Sequence, residues 1–402
     1  MSRIQTPRRR GNRDALLALL ASNRIDRRQF LKRVGAGGVL MLGGPALLAA
    51  CGGETGGTTG PGGDTNQLFV DNWIEYIDLA EDGTNPTIDK FTADTGISVT
   101  YTEGVNSNED WFGKYQPQLA AGQPLGIDLT VLTDYMAARM IRLGYVETLD
   151  HANIPNMSNL AAALQSPDFD PNRDYTLPWQ SGFTGIGYDI ELTGREITSL
   201  EDLLDPAFAG RVGLLEGYND TVPLFLLMEG KDPATASVDD YVAAAGRIGE
   251  AVSSGQVRQI YGNDYLDALL AGDLAVALAW SGDIVVNQES VPSLRWSFPQ
   301  EGFMIWNDNM IVPKGAANKA GAEAWMNHYY APDIAAELAA YIWYVSPVSG
   351  AREAVAAIDP TLADEPLIFP TAELLANSHI VRAFTEEEEA IVNVAVAEAA
   401  GV

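Results

Sequence analysis

The chain has 402 residues, 47% of them hydrophobic and 20% charged, and a formal net charge of −29. That composition is globular, and that charge disfavours nucleic acid and anionic lipid surfaces while favouring cationic ligands; a solvated acidic coat for salty surroundings explains it equally well. A single cysteine, Cys51, leaves no pair for a disulfide.

Residues 1–50 read as an export leader. Asp26-Arg27-Arg28-Gln29-Phe30-Leu31-Lys32 precedes a short apolar stretch from Val34 to Ala50, a signal of the twin-arginine kind. The stretch is too short and too rich in glycine to make a good spanning helix. Its ending, Leu48-Ala49-Ala50-Cys51, resembles a bacterial lipobox, which implies a lipid on the Cys51 thiol and a membrane anchor outside the cytoplasm. The leader holds ten basic and two acidic residues, so the remainder carries −37 with only five lysines. Some 350 residues then remain, enough for about two domains with separate cores.

Residues 51–66 are Gly/Thr-rich and read as a flexible tether. Leu68-Phe69-Val70 opens the first strand, Pro86 to Thr95 reads as a helix closed by Gly96, and Ile97 to Tyr101 alternates as a strand. Trp111 to Ala121 is helical, and Ile127 to Leu132 is an apolar strand. This βαβ rhythm marks a doubly wound α/β lobe. It resumes with Gly185 to Tyr188 and Arg211 to Leu215 as strands, separated by a short helix at Leu200 to Leu204. Helices are expected at Thr221 to Met228, Val238 to Val252 and Tyr265 to Leu270, then a strand at Asp273 to Trp280. Met310-Ile311-Val312-Pro313 leads into a helix from Lys319 to Tyr330, which Pro332 interrupts. Thr385 with Glu388 forms a capping-box signature for a last helix running to Ala400, its Glu386–Glu389 run a solvated first turn.

Signals of catalysis are poor: the chain lacks a Gly-x-Ser-x-Gly elbow, a phosphate loop and a His-Glu-x-x-His pair. Its three histidines, His151, His328 and His379, lie far apart in sequence. The expectation is a binding protein without cofactor, metal or enzymatic chemistry. Aromatics instead gather at predicted strand ends beside polar or acidic residues: Trp73-Ile74-Glu75-Tyr76, Asp134-Tyr135, Trp280-Ser281-Gly282-Asp283, Trp306-Asn307-Asp308 and Tyr344. In open α/β sheets, ligands bind beyond the carboxyl ends of strands. Aromatic faces attract ammonium groups and cover methylenes, while carboxylates accept charge-assisted hydrogen bonds from amines. The combination suits a flexible aliphatic polycation. Trp73 and Trp280 also fit a plain core, Tyr344 an ordinary loop anchor, and Glu75 and Asp283 surface positions capping helices, the better reading for Asp283.

The chain resembles the spermidine/putrescine-binding proteins of bacterial ABC importers from about Phe69 to Arg352. The resemblance is carried by Asn72-Trp73-Ile74-Glu75-Tyr76, Tyr175-Thr176-Leu177-Pro178-Trp179 and Asp205-Pro206-Ala207-Phe208-Ala209-Gly210-Arg211, then Ala279-Trp280-Ser281-Gly282, Pro313-Lys314-Gly315-Ala316 and Tyr344-Val345-Ser346-Pro347. It implies a two-lobed α/β clamshell of the type II periplasmic-binding kind, crossed by hinge strands near Pro178–Gly182, Phe303–Asp308 and Tyr344–Pro347. Lobe I is then expected at 67–180 with 309–345, and lobe II at 181–308 with 346–402. It further implies an aromatic box of Trp73, Tyr76, Tyr135, Trp280, Trp306 and Tyr344, with Asp308 holding an amine. Glu75 and Thr133 match positions at one terminal amine, and Asp220 an acid at the other end. A second acid near that end is replaced, with Gly217 at its place and Glu216 beside it, which bears on triamine selectivity. The implied partners are a polyamine, a permease and an ATPase, with the chain expected to be monomeric. The alternatives are the same fold binding another cationic or zwitterionic solute, or a polyamine sensor with a membrane signalling partner.

Overall fold

The computed structural model describes residues 66–80, 82–288 and 290–401. The expected leader, Cys51 with its expected lipid, and the expected tether, except its last residue, lie outside the described residues. The described strands are β1 (Gln67–Trp73), β2 (Ser98–Val105), β3 (Leu129–Thr133), β4 (Thr176–Asp189), β5 (Val212–Leu215), β6 (Val257–Tyr261), β7 (Val276–Trp280), β8 (Leu294–Ser297), β9 (Phe303–Ile311) and β10 (Ser378–His379). They run in the order β2-β1-β3-β9-β4-β7-β5-β6, with β10 on β9 and β8 on β4.

Two cores flank the middle of this order. In the first lobe β1 lies parallel to β2 and β3, and Leu68, Phe91, Trp111, Met136, Trp179 and Trp325 pack together. In the second β5 lies parallel to β6 and β7, around Leu214, Phe225, Tyr241, Tyr265 and Leu278. Parallel strands covered by helices on both faces read as apolar runs, as Val276 to Ala279 does. The long antiparallel pair β4 and β9 belongs to both lobes. β9 meets β3 from Asp308 to Ile311, while β4 meets β7 from Thr184 to Tyr188. A side chain in the middle of either strand therefore sits where the lobes meet.

Most expected elements are found within a residue or two, Thr221–Met228 and Tyr265–Leu270 without any shift. Pro332 does not merely end the preceding helix; it opens another, Pro332–Ile342, from its first turn, where a missing N–H costs nothing. The expected boundary at 345/346 also differs. Ala161 N–H donates to Pro347 O and Ser349 N–H to Asn159 O, and Val348 and Ala351 lie in the first core. Those bonds keep the segment on lobe I, where Val355 packs on Ala336 and Ala339. The chain reaches lobe II later, through β10 and the capped helix Glu386–Ala400.

That last helix also ties the lobes. Its Glu389, only 7% exposed at the side chain, pairs with Arg139 at 2.7 Å and with Arg142, both on the lobe I helix Asp134–Arg142, and accepts from Tyr218 Oη. Removing one partner of a buried pair strands the other charges, at about 3 kcal/mol. Glu389→Ala should therefore lower the unfolding free energy by about that much in denaturant titrations; an unchanged midpoint would show that the triad contributes nothing.

Candidate functional site

Strand ends and the shared strand β9 converge on one cleft. β1 ends at Trp73, after which the chain turns through Glu75, whose φ of +58° is left-handed, to bring Tyr76 back under the sheet. β3 ends at Thr133 and β7 at Trp280, each followed by a helix. Trp306 and Asp308 stand two apart on β9 and so share a face.

The rings form a wall that crosses the lobe boundary. Trp73 meets Trp280 edge-on at 5.9 Å, and Trp280 in turn meets Tyr265 at 5.6 Å. Tyr344 lies 5.2 Å from Tyr76 and 5.7 Å from Trp306. Gly182 makes this approach possible, because a Cβ there would fall 2.4 Å from the Trp306 ring. Trp73 is 8% exposed, and its indole N–H has no hydrogen-bond partner among the described residues, an uncommon state for a buried donor.

Behind the rings sit acids. Asp308, 4% exposed, accepts from Tyr76 Oη at 2.9 Å and Thr133 Oγ1 at 2.8 Å. Burial pushes its carboxyl up to about 7; those two hydrogen bonds oppose the shift, and the charges of Asp134 and Asp220 add to it. Asp220 accepts from Thr184 Oγ1 and, at 3.2 Å, from Trp280 Nε1. Burial raises it too, against both bonds. Among the described residues, no lysine or arginine pairs with Asp308 or Asp220.

All expected site residues except Glu75 come together here. Tyr135 packs against both cores and gives its hydroxyl to Glu109 at 2.7 and 2.9 Å. Glu75 is exposed on its turn, and its backbone N–H donates to Glu103; the φ there aims the chain outward and Tyr76 inward. Asp283, expected to cap a helix, stands in a first helical turn but accepts from Tyr265 Oη at 2.9 Å and Tyr344 Oη at 2.8 Å, so it orients the wall. Sequence reasoning missed Glu109, Thr184 and Tyr265. Asp134, noted only beside Tyr135, accepts from Asn307 and Asn309 at 2.7 Å each and so steadies β9; the alternation Asn307-Asp308-Asn309 was the available signal.

The raised Asp308 has a stability consequence with a definite sign. Its contribution is fully present below the ordinary carboxyl value near 3.8 and is lost as pH rises through about 7, at about 1.4 kcal/mol per pH unit. The ligand-free protein should thus lose stability between pH 4 and 7, and Asp308→Asn should remove that part of the slope. Parallel pH profiles of thermal unfolding for parent and variant would contradict the assignment.

Residues 87–370 match the family model described as bacterial extracellular solute-binding protein. The chain is 29% identical over 340 residues to spermidine/putrescine-binding periplasmic protein 1 of Haemophilus influenzae, covering 83% of this chain and 90% of that one. It is 27% identical over 332 residues to the spermidine/putrescine-binding periplasmic protein of Escherichia coli, covering 82% and 91%. A solved structure from Listeria monocytogenes, described as a spermidine/putrescine ABC transporter, superposes with a TM-score of 0.70 at 25% identity, over 83% of this chain and 98% of that one. The chain belongs to the bacterial extracellular solute-binding protein family.

Proposed function

We propose that this member of the family binds a polyamine, spermidine or putrescine, between its lobes and delivers it to the permease and ATPase of an ABC importer. The observation that carries this reading is a pair of carboxylates, buried Asp308 and half-buried Asp220, without a basic partner among the described residues and set among aromatic rings. An ionised carboxylate in such a place needs a counter-charge. An alkyl ammonium supplies one. Its methylenes lie against Trp73, Trp280, Trp306 and Tyr344, each buried CH₂ contributing about 0.8 kcal/mol. The ring faces add about 0.5–2 kcal/mol per ammonium.

In this reading Asp308 takes an amine, Tyr76 and Thr133 hold its two oxygens apart for that purpose, and Asp220 takes another amine on lobe II. Tyr135 closes the lobe I side, and Glu75 lies at the rim. Export by the twin-arginine route, a lipid on Cys51 and a monomeric state belong to the same proposal; they would keep the receptor beside its permease outside the cytoplasmic membrane.

Isothermal titration of the chain without its leader against spermidine, putrescine, spermine, betaine and arginine tests the reading. Micromolar or tighter binding, about −8 kcal/mol or better, is expected for a polyamine. Trp306→Ala and Asp308→Asn should each weaken it by roughly 10–100-fold, as loss of a charge-assisted or desolvated contact does. Folded protein that ignores every polyamine, or variants that bind like the parent, would overturn the ligand or the site respectively.

A further inference from the structure

One end of the cleft is acidic in a way the proposed amine contacts do not use. Ser107 caps the lobe I helix Asn108–Ala120, and Asn108 exchanges two hydrogen bonds with Thr133, at 2.9 and 3.1 Å, which fixes the start of that helix beside Asp308. Glu109 follows directly. Its carboxylate accepts from Tyr135 Oη and faces lobe II at Gly217. A Cβ on Gly217 would lie 3.7 Å from Glu109 Oε2 and 3.7 Å from Tyr135 Oη. Gly217 has no side chain to fill that space, and its φ of +87° disfavours one.

Two neighbours of Gly217 carry polar atoms without a partner, although Ser107 reaches the Glu216 carboxylate. Glu216 Oε1 and both polar atoms of the Asn219 side chain are buried without a partner among the described residues. Tyr218, between them, packs on Tyr135 at 5.2 Å and so brings this loop against Glu109. Burial pushes Glu109 up to about 7; the Tyr135 bond opposes, the charge of Glu216 adds, and Arg139 opposes. Arg139 does not neutralise the end of the cleft, because its guanidinium is engaged by Glu389 at 2.7 Å.

We propose that Glu109, reinforced across the cleft by Glu216, seats an ammonium group beyond the two held at Asp308 and Asp220, so that the chain prefers a triamine to a diamine. The acid that the sequence leaves out at Gly217 on lobe II is thus supplied from lobe I. A diamine spanning Asp308 and Asp220 has no charge left for Glu109. A triamine does. The inference rests on the polyamine reading above, and the experiment separates the two.

Spermidine and putrescine are titrated into the parent and into Glu109→Gln, which keeps an acceptor for Tyr135 Oη but no charge. The expected result is a roughly 10–100-fold loss of spermidine affinity with putrescine affinity held within about twofold, which also shows that the variant is folded. The spermidine-to-putrescine affinity ratio of the parent should fall between pH 8 and pH 6 as Glu109 gains its proton, and the variant should lose that dependence; Asp308 titrates for both ligands and cancels in the ratio. Equal losses for both amines would make Glu109 a structural support for Tyr135 and overturn the proposal. So would a parent that prefers putrescine. A parent that binds neither amine overturns the polyamine reading itself.

Discussion

The deficit of positive charge around Asp308 constrains everything else in this molecule. Moving a carboxylate out of water costs several kcal/mol even after local relaxation. Two hydroxyl donors, Tyr76 and Thr133, return only part of that, about 1.5–3 kcal/mol each. In the ligand-free protein the remainder is relieved by a proton, which is why burial lifts Asp308 to about 7. In the polyamine reading proposed above, a bound ammonium group does the same work. The rings that exclude water make the deficit larger, and so make the cation's arrival more favourable. The hydrophobic wall and the buried acid are therefore a single device.

The fold places that device where it can act on lobe position. Asp308 lies on β9, which runs through both lobes, while its hydroxyl partners belong to lobe I. Asp220 and Trp280 belong to lobe II, and Trp73 of lobe I meets Trp280 directly. A cation held between Asp308 and Asp220 thus touches both halves of the clamshell. Where the lobes meet, Asp308, Asp220, Glu216 and Glu109 raise one another's proton affinity, and in the proposed reading a cation among them relieves that repulsion.

Much of this was legible in the sequence because the relevant signals are local. The βαβ rhythm, the cap at Thr385, and the aromatics at strand ends all depend on neighbours a few residues away. Trp306-Asn307-Asp308 announced itself by placing polar residues inside an apolar run. What was not legible depends on distant partners. Glu109 sits in a polar helix start and looks like an ordinary first-turn acid that complements a helix dipole; only the opposing lobe gives it another meaning. Asp283 looked like a cap for the same reason, and only Tyr265 and Tyr344 reveal it as their anchor. The return of the chain to lobe II was misplaced because backbone bonds to Asn159 and Ala161, nearly 190 residues earlier, decide it.

Arg139 sharpens the argument. A site proposed to take an external cation must not be filled by the protein's own, yet Arg139 is close enough to Glu109 to lower its pKa. Glu389 prevents the substitution. With Tyr218 it binds Arg139, and through its second oxygen it binds Arg142, so both guanidinium groups are turned to the C-terminal helix. The same contact clamps lobe I to lobe II outside the cleft. The C-terminal helix therefore does more than cover lobe II. By engaging Arg139 and Arg142 it leaves Asp308, Asp220 and Glu109 with neutral hydrogen-bond donors and no paired basic side chain among the described residues, and in the proposed reading a soluble cation supplies that charge.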